Sequence, residues 1–473
     1  MKAKKLTALV LAIAVAAGTM TGCGKGADDG KINISVGNWP SDTAPEQRER
    51  MEKLRTKFME ENQGINVKGD TYAYDTKTFS MKASAGQLPT VYNTFLTEMK
   101  MIIDQGYGAD ITEAAQKFGY LDALNPDLLA MVKDENGKVY GLPNKAYAMG
   151  LYINKKLFQE AGLMEADGVT PKVPQTYQEL AETAKVIKDK TGMAGLAFPT
   201  TNNCGGWHFM NIAWSFGVEF VKYQDGKWVS SFDTQEAREA LSYVKDLKWK
   251  YGILLDDSVV TNEDLNKWFG TYQAAMMISS PPATLLSSQY GMDIDDIYAA
   301  RLPAGPKGRY AQTGADIYVF SNAASEEEIE AAMQWLTYIG FSPEITEEQL
   351  QNQRTSYENQ VASNSIILGR DAFRLWTNED RIQKEDEVRK DYVNTKDENY
   401  NDYFSFEGVT LHAEPEACAQ QLYAILDGII QEVITNKDAD VDALITEASK
   451  DYQTNHLDKM TQEKFSRGDC RLE

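Results

Sequence analysis

Between Ile32 and Phe95 the chain alternates short β-compatible runs with helical patterning, and this constrains its fold more than any other feature. Ile32-Asn33-Ile34-Ser35-Val36 has the apolar–polar period of two that a half-buried strand requires. Pro45 to Glu60 follows, with Met51, Leu54 and Phe58 on one helical face. Gly64 to Val67 reads as the next strand and Val91 to Phe95 as a third. Strand, helix, strand in succession predicts a parallel sheet covered by helices, an α/β fold. Ligands of such sheets bind outside the carboxyl ends of the strands. Residues just past those ends are therefore candidates for ligand contact: Asn38 and Trp39 after the first strand, Tyr74 after the second, and Phe95 with Glu98 at the third.

A second region shows how the chain leaves this first unit. Asn136-Gly137 is a turn signal, Val139 to Leu142 is short and apolar, and Pro143 interrupts it by removing a backbone donor. Ala146 to Ile153 is again β-compatible, and Asn154 can cap a helix over Lys155 to Ala161 that Gly162 ends. The strings GKVYGLP, GLYINKKLFQEAGL and PQTYQELAETAKVIKD, in that order, resemble the extracellular solute-binding proteins of carbohydrate ABC importers, the maltose-binding-like group. The resemblance spans nearly the whole chain after its leader and is weaker from Ile345 to Glu414. Thr90, where the family usually has Asp, is a departure from its pattern. The resemblance implies a two-lobed periplasmic-binding-protein-like fold of type II, with a hinge and an interlobe cleft. It implies lobes of residues 31–145 with 303–345 and of residues 146–302 with 346–473. The chain would cross near Tyr147, again near Leu302, where Leu302 to Gly308 is similar to the family's second hinge, and a third time within 340–350.

Charge narrows the partners. The 473 residues carry 48 Lys and Arg against 70 Asp and Glu. Such a chain repels nucleic acid and anionic lipid headgroups, so neither is expected as a partner. The start is different in kind. Lys2, Lys4 and Lys5 precede an apolar run from Leu6 to Ala17, too short to span a bilayer, which reads as a secretion signal over residues 1–22. Met20-Thr21-Gly22-Cys23 resembles a bacterial lipobox, which makes Cys23 the lipidation candidate and residues 23–30 a flexible tether. The expected location is the outer face of a Gram-positive cell membrane. Cys204, Cys418 and Cys470 are irregularly spaced, fit no disulfide framework or zinc pattern, can form at most one bridge, and are expected as free or buried thiols.

Further along, Thr200 to Gly217 holds Trp207, His208, Phe209, Trp214 and Phe216 behind two glycines, either a loop entering a site or an aromatic core cluster. His208, His412 and His456 are the only histidines and lack any metal or catalytic spacing, so no metal and no cofactor is expected. Gly314-Ala315-Asp316 precedes a strand and makes Asp316 a candidate acceptor. Residues 341–415 are polar and tyrosine-rich and read as helices with solvated faces plus an extended loop. Sugars offer flat C–H faces for aromatic rings and hydroxyls for carboxylates and amides. Asn38, Trp39, Tyr74, Phe95, Glu98, Tyr147, Trp207, Trp214 and Asp316 supply both kinds of group. The reading that follows is a monomeric, lipid-anchored binding protein that captures a mono- or oligosaccharide by hinge closure and delivers it to a membrane permease, without catalysis. Two alternatives fit the same residues: an extracellular glycan-degrading enzyme, and a peptide-binding surface lipoprotein.

Overall fold

The structure is a computed structural model and describes residues 30–459 except 76 and 77. The expected secretion signal, Cys23, all but the last residue of the tether, and Cys470 lie outside the described residues. Eleven strands form among those described: β1 (Ile32–Val36), β2 (Ile65–Gly69), β3 (Val91–Phe95), β4 (Gly141–Ala148), β5 (Gly150–Asn154), β6 (Val221–Gln224), β7 (Lys227–Ser230), β8 (Met276–Ser279), β9 (Ile297–Ala300), β10 (Arg309–Phe320) and β11 (Val409–Ala413). The fold is the two-lobed α/β arrangement.

The first sheet has the order β11-β10-β3-β1-β2, with β4 also paired to β10. β1 runs parallel to β2 and β3, as the strand–helix–strand alternation requires. β10 is the long member. Residues 313–319 pair antiparallel with β4. Residues 316–320 pair antiparallel with β3, and residues 309–313 pair parallel with β11. β3 and β11 therefore share the edge of β10 that β4 does not occupy. β5 lies between β8 and β9 in a second, antiparallel sheet. Its five residues are all buried, because successive side chains enter different cores: Leu151 and Ile153 one, Tyr152 another.

Two large cores follow from this topology. One gathers Ile34, Val67, Tyr92, Ile102, Leu142, Ile317 and Trp335 from both ends of its segment range. The other gathers Leu151, Phe158, Ile187, Phe209, Leu241, Leu302, Leu422, Ile430 and Ile445. A smaller cluster with Tyr152, Phe269, Met277, Tyr400 and Tyr403 covers the other face of β5. β10 connects the two large cores, with Ala311 in one and Ala315, Ile317, Val319 and Phe320 in the other.

Local signals hold where capping chemistry decides. Asn154, Thr176 and Asp440 accept from the backbone N–H of Leu157, Glu179 and Ala443, starting helices at Lys155, Tyr177 and Val441. Elsewhere the structure corrects the reading. Pro143 does not interrupt the strand: β4 runs through it, and the ladder slips instead, Pro143 facing Ile317 and Lys145 facing Asp316. The break falls at Met149. The helix expected from Pro415 begins at Ala419, after Cys418 takes φ +46°. Cys418 is disulfide-bonded, which overturns the expectation of a free thiol there; Cys204 is free. Residues 341–415 are less solvated than they read. Trp376 packs in the first core, with the Arg381 guanidinium 4.5 Å from its ring centre, and Tyr400 and Tyr403 enter the smaller cluster.

Trp39 belongs to the first core. It is 5% exposed, its ring lies 5.9 Å from Trp335, and its Nε1 donates to Glu52 Oε1 at 3.0 Å. A Cβ on Gly69 would fall 2.3 Å from the Trp39 ring, so only glycine leaves room for it. Trp39→Ala is expected to destabilise the fold by about 3–5 kcal/mol, the usual range for emptying a core aromatic site. Urea unfolding followed by far-UV circular dichroism checks this.

Candidate functional site

β3 and β11 run in opposite directions along one edge of β10, so their carboxyl ends meet. Phe95 closes β3 opposite Asp316, and Ala413 closes β11 opposite Thr313, only Gly314 and Ala315 of β10 lying between. Whatever follows each strand is delivered to the same place. Glu98 follows Phe95 by three residues and Glu414 follows Ala413 directly.

Glu414 is the hub. Its Oε1 accepts from Trp207 Nε1 at 2.9 Å, Gln312 Nε2 at 3.0 Å and the Tyr423 hydroxyl at 2.8 Å. No donor to its Oε2 is present among the described residues. Burial pushes its carboxyl up to about 7, the negative Glu98 adds to the rise, and the three donors partly offset it. Glu98 is also held above the usual carboxylate range by burial, although the Tyr74 and Thr97 hydroxyls donate to it. Asp316 is raised by burial, which outweighs the opposing pull of Lys145 across the ladder. Burial, reinforced by Glu414 and Asp316, drives the Tyr147 phenol upward. Three carboxyl groups thus share one region with little positive charge to balance them.

Aromatic rings stand among these carboxylates. Tyr74 meets Phe95 edge-on at 5.9 Å, and Phe95 is 47% exposed, the geometry of a ring offered to a ligand rather than to a core. Tyr147 meets Trp207 edge-on at 6.0 Å. Gly314 faces Tyr147 across the β4–β10 ladder, and a Cβ there would lie 2.4 Å from the Tyr147 hydroxyl, so the tyrosine needs glycine beneath it.

Trp207 sits in the first turn of the helix Cys204–Phe216. Asn202 and Asn203, at φ +56° and +65°, turn the chain into that helix. The buried carboxylate of Asp427, on the helix Ala419–Thr435, accepts the N–H of Asn203 at 2.6 Å and of Gly206 at 2.7 Å. An anion at a helix N-terminus is favourable in both hydrogen bonding and dipole terms. Gly205 and Gly206 allow the approach: a Cβ on Gly206 would lie 2.5 Å from the Tyr423 carbonyl oxygen. Asp427 and Tyr423 therefore fix the height of Trp207 over Glu414.

Of the residues singled out by sequence, Tyr74, Phe95, Glu98, Tyr147, Trp207 and Asp316 come together here. Trp39 and Trp214 do not. Trp39 stacks in the first core, and Trp214 is 3% exposed in the second with the His412 imidazole 4.0 Å from its ring. Asn38 is an exposed turn residue at φ +55°, its side-chain oxygen accepting from the Asn93 N–H. His208 is buried, with Nδ1 2.7 Å from the Cys204 carbonyl and Nε2 3.1 Å from that of Ile278, and burial lowers its pKa to about 4. Sequence reading missed Glu414, Gln312, Tyr423 and Asp427. The alternation of Val409-Thr410-Leu411-His412-Ala413 was the available signal: read as a strand, it places Glu414 past a carboxyl end. Among the described residues, no group of three or more His, Cys, Asp or Glu side chains is arranged to hold a metal ion.

The family described as bacterial extracellular solute-binding protein matches residues 53–358. A protein of Escherichia coli K12 named as an ABC transporter periplasmic-binding protein is 27% identical over 250 residues, 50% of this chain and little more than half, 54%, of that protein's length. The multiple sugar-binding protein of Streptococcus mutans is 26% identical over 304 residues, 61% of this chain and 67% of that protein. Among solved structures, maltose-bound MalE3 of T. maritima superposes with a TM-score of 0.65 at 19% identity, covering 89% of this chain and 99% of that one. A substrate-binding protein of Listeria monocytogenes in complex with cycloalternan gives a TM-score of 0.66 at 16% identity, covering 90% of this chain and 99% of that one.

The Glu414 carboxyl is expected to titrate near pH 7. The unfolded chain releases this proton near about 4.3. Folding therefore takes up a proton between those values, and the stability tied to it falls as pH rises through 7. Because Trp207 donates to this carboxyl, tryptophan emission should titrate with a midpoint near 7, and Glu414→Gln should flatten that transition.

Proposed function

The chain belongs to the bacterial extracellular solute-binding proteins, and we propose that it is the carbohydrate-capturing component of an ABC importer. The observation that carries this reading is the interleaving of Tyr74, Phe95, Tyr147 and Trp207 with Glu98, Asp316 and Glu414 at the meeting strand ends. Rings of this kind pack on the C–H faces of a sugar, and carboxylate oxygens accept its hydroxyls. Similar structures carry maltose, cycloalternan, tagatose and ribitol, all polyhydroxylated and uncharged.

In the proposed mechanism the two lobes close on the sugar about the segments that join them: the turn at Met149, β10 and β11. Tyr74, Phe95 and Glu98 approach from one lobe and Trp207 with Glu414 from the other, while Tyr147 and Asp316 lie at the crossing strands. A ligand that touches both sides favours the closed state by its differential contacts. A membrane permease then receives the sugar from the closed form. Cys23 holds the chain to the outer face of the membrane by a lipid after removal of residues 1–22. No helix among the described residues is long and apolar enough to cross a membrane.

Hydrolysis is the second reading, because Glu414, protonated up to about pH 7, stands near a second carboxylate, Glu98. The one donated-to oxygen of Glu414 is tied to protein by three bonds, which favours a fixed acceptor over a mobile acid.

The mature chain, titrated with mono- and oligosaccharides while tryptophan emission is followed, is expected to give saturable changes. Trp207→Ala should abolish them while far-UV circular dichroism shows the fold retained, and Glu414→Ala should weaken binding about tenfold or more. No response to any sugar overturns the reading. Release of new reducing ends over time moves it to hydrolysis.

A further inference from the structure

Beyond the carboxylate pair lies a cavity of about 590 Å³, within the range of small-molecule sites. One wall comes from the segment after β3, with Leu96, Thr97 and Lys100, and another from the segment after β11, with Glu414 and Glu416. A third is the turn carrying Lys133, closed by the bridge between Lys133 and Val139. This turn is rigid by its own bonds: the Asp134 carboxylate accepts the N–H of Asn136 at 2.9 Å and of Lys138 at 2.8 Å. Lys138 is spent on Asp110 at 2.7 Å. The ammonium groups of Lys100 and Lys133 make no ion pair or hydrogen bond among the described residues. The cavity thus offers the ammonium donors of Lys100 and Lys133 beside the carboxylates of Glu135, Glu414 and Glu416, where the aromatic cluster offers rings and acceptors.

The two spaces share their dividing wall. Thr97 lines the cavity and donates to Glu98 at 3.2 Å, while Glu414 lines the cavity and receives Trp207 from the other side. No donor among the described residues reaches Glu414 Oε2. A ligand that stacks on Trp207 beside Glu414 therefore lies next to the cavity that Glu414 also lines.

Resting on the sugar-binding reading, we propose that this cavity is an extension subsite, that the ligand is an oligosaccharide of three or more units, and that Lys100 and Lys133 receive the hydroxyl oxygens of the units beyond the one stacked on the rings. Glu414 is the shared acceptor at the junction. Length selection then resides in the Lys133 turn and in the helix Met99–Asp104 that carries Lys100, rather than in the aromatic cluster.

Calorimetric titration of the mature chain with the α-1,4-glucan series, maltose to maltotetraose, and the β-1,4-xylan series, xylobiose to xylotetraose, tests this. In the series that binds, the tetrasaccharide should bind at least about tenfold more tightly than the disaccharide. The Lys100→Ala/Lys133→Ala variant should reduce that ratio to within about threefold. Met131→Trp, which places a large ring at the exposed cavity lining, should do the same by exclusion. The two variants reach the same end by different physics, and thermal melting identifies either one that fails to fold. A disaccharide and a tetrasaccharide of equal affinity overturn the subsite, as does a length gain that survives both variants. Absence of binding by every member of both series overturns the subsite; the sugar reading itself falls when the wider panel of mono- and oligosaccharides also fails to bind.

Discussion

Two strands that pair with one edge of a third in opposite directions must meet end to end, and β10 imposes that on β3 and β11. The rest of the cleft depends on it. Strand ends carry chain segments whose backbone groups are no longer consumed by the ladder, so side chains there are free to face a ligand. Here two such ends come from distant parts of the sequence, near residues 95 and 413, and each brings a glutamate. The protein bears the cost of burying these carboxyls, visible in the raised Glu98, Asp316 and Glu414, with the charge of Glu98 adding to the rise at Glu414. Three donors on one oxygen of Glu414 offset part of that cost. They also fix its orientation, because Trp207, Gln312 and Tyr423 arrive from three different elements.

Positioning at this site is done from beneath. Asp427 ties the start of the helix bearing Trp207 to the helix Ala419–Thr435, and Gly205 and Gly206 let the two helices approach until their backbones touch. Gly314 performs the same service for Tyr147. In each case a ring that faces the cleft owes its position to a residue with no side chain. Adding a methyl group there displaces the ring without altering any group that a ligand touches.

Much of this was legible in the sequence. Period-two runs located β1 to β3, and Asn154, Thr176 and Asp440 began helices because capping is decided within four residues. The sites after β3 and at β4, Phe95, Glu98 and Tyr147, followed from strand order and family resemblance. Trp39 resembled them locally, one residue from Pro40 in a turn, yet its fate is set by Trp335, nearly three hundred positions away, and by the space above Gly69. Glu414 was hidden for the converse reason. β11 is a five-residue strand with no fully buried residue, within a segment rich in charge, and its pairing with β10 is a tertiary fact. Pro143 misled because losing one donor moves a ladder by one residue more cheaply than it ends a strand.

Neither large core is contiguous in the chain. The first draws on residues from Ile34 to Leu142 and again from Ala315 to Trp376, and the second on Met149 to Ala311 and again from Ala417 to Leu457. Pairings this distant are slow to form, because the loop-closure entropy is lost before the contacts return it. As the polypeptide is made from its amino end, the second core lacks Leu422, Ile430 and Ile445 until well over a hundred residues after Leu302 have followed. Neither core can therefore be completed until the later of its two sets of residues has been made. Completion of each lobe is thereby tied to the segment that arrives last, whatever the earlier segments have already begun to pack.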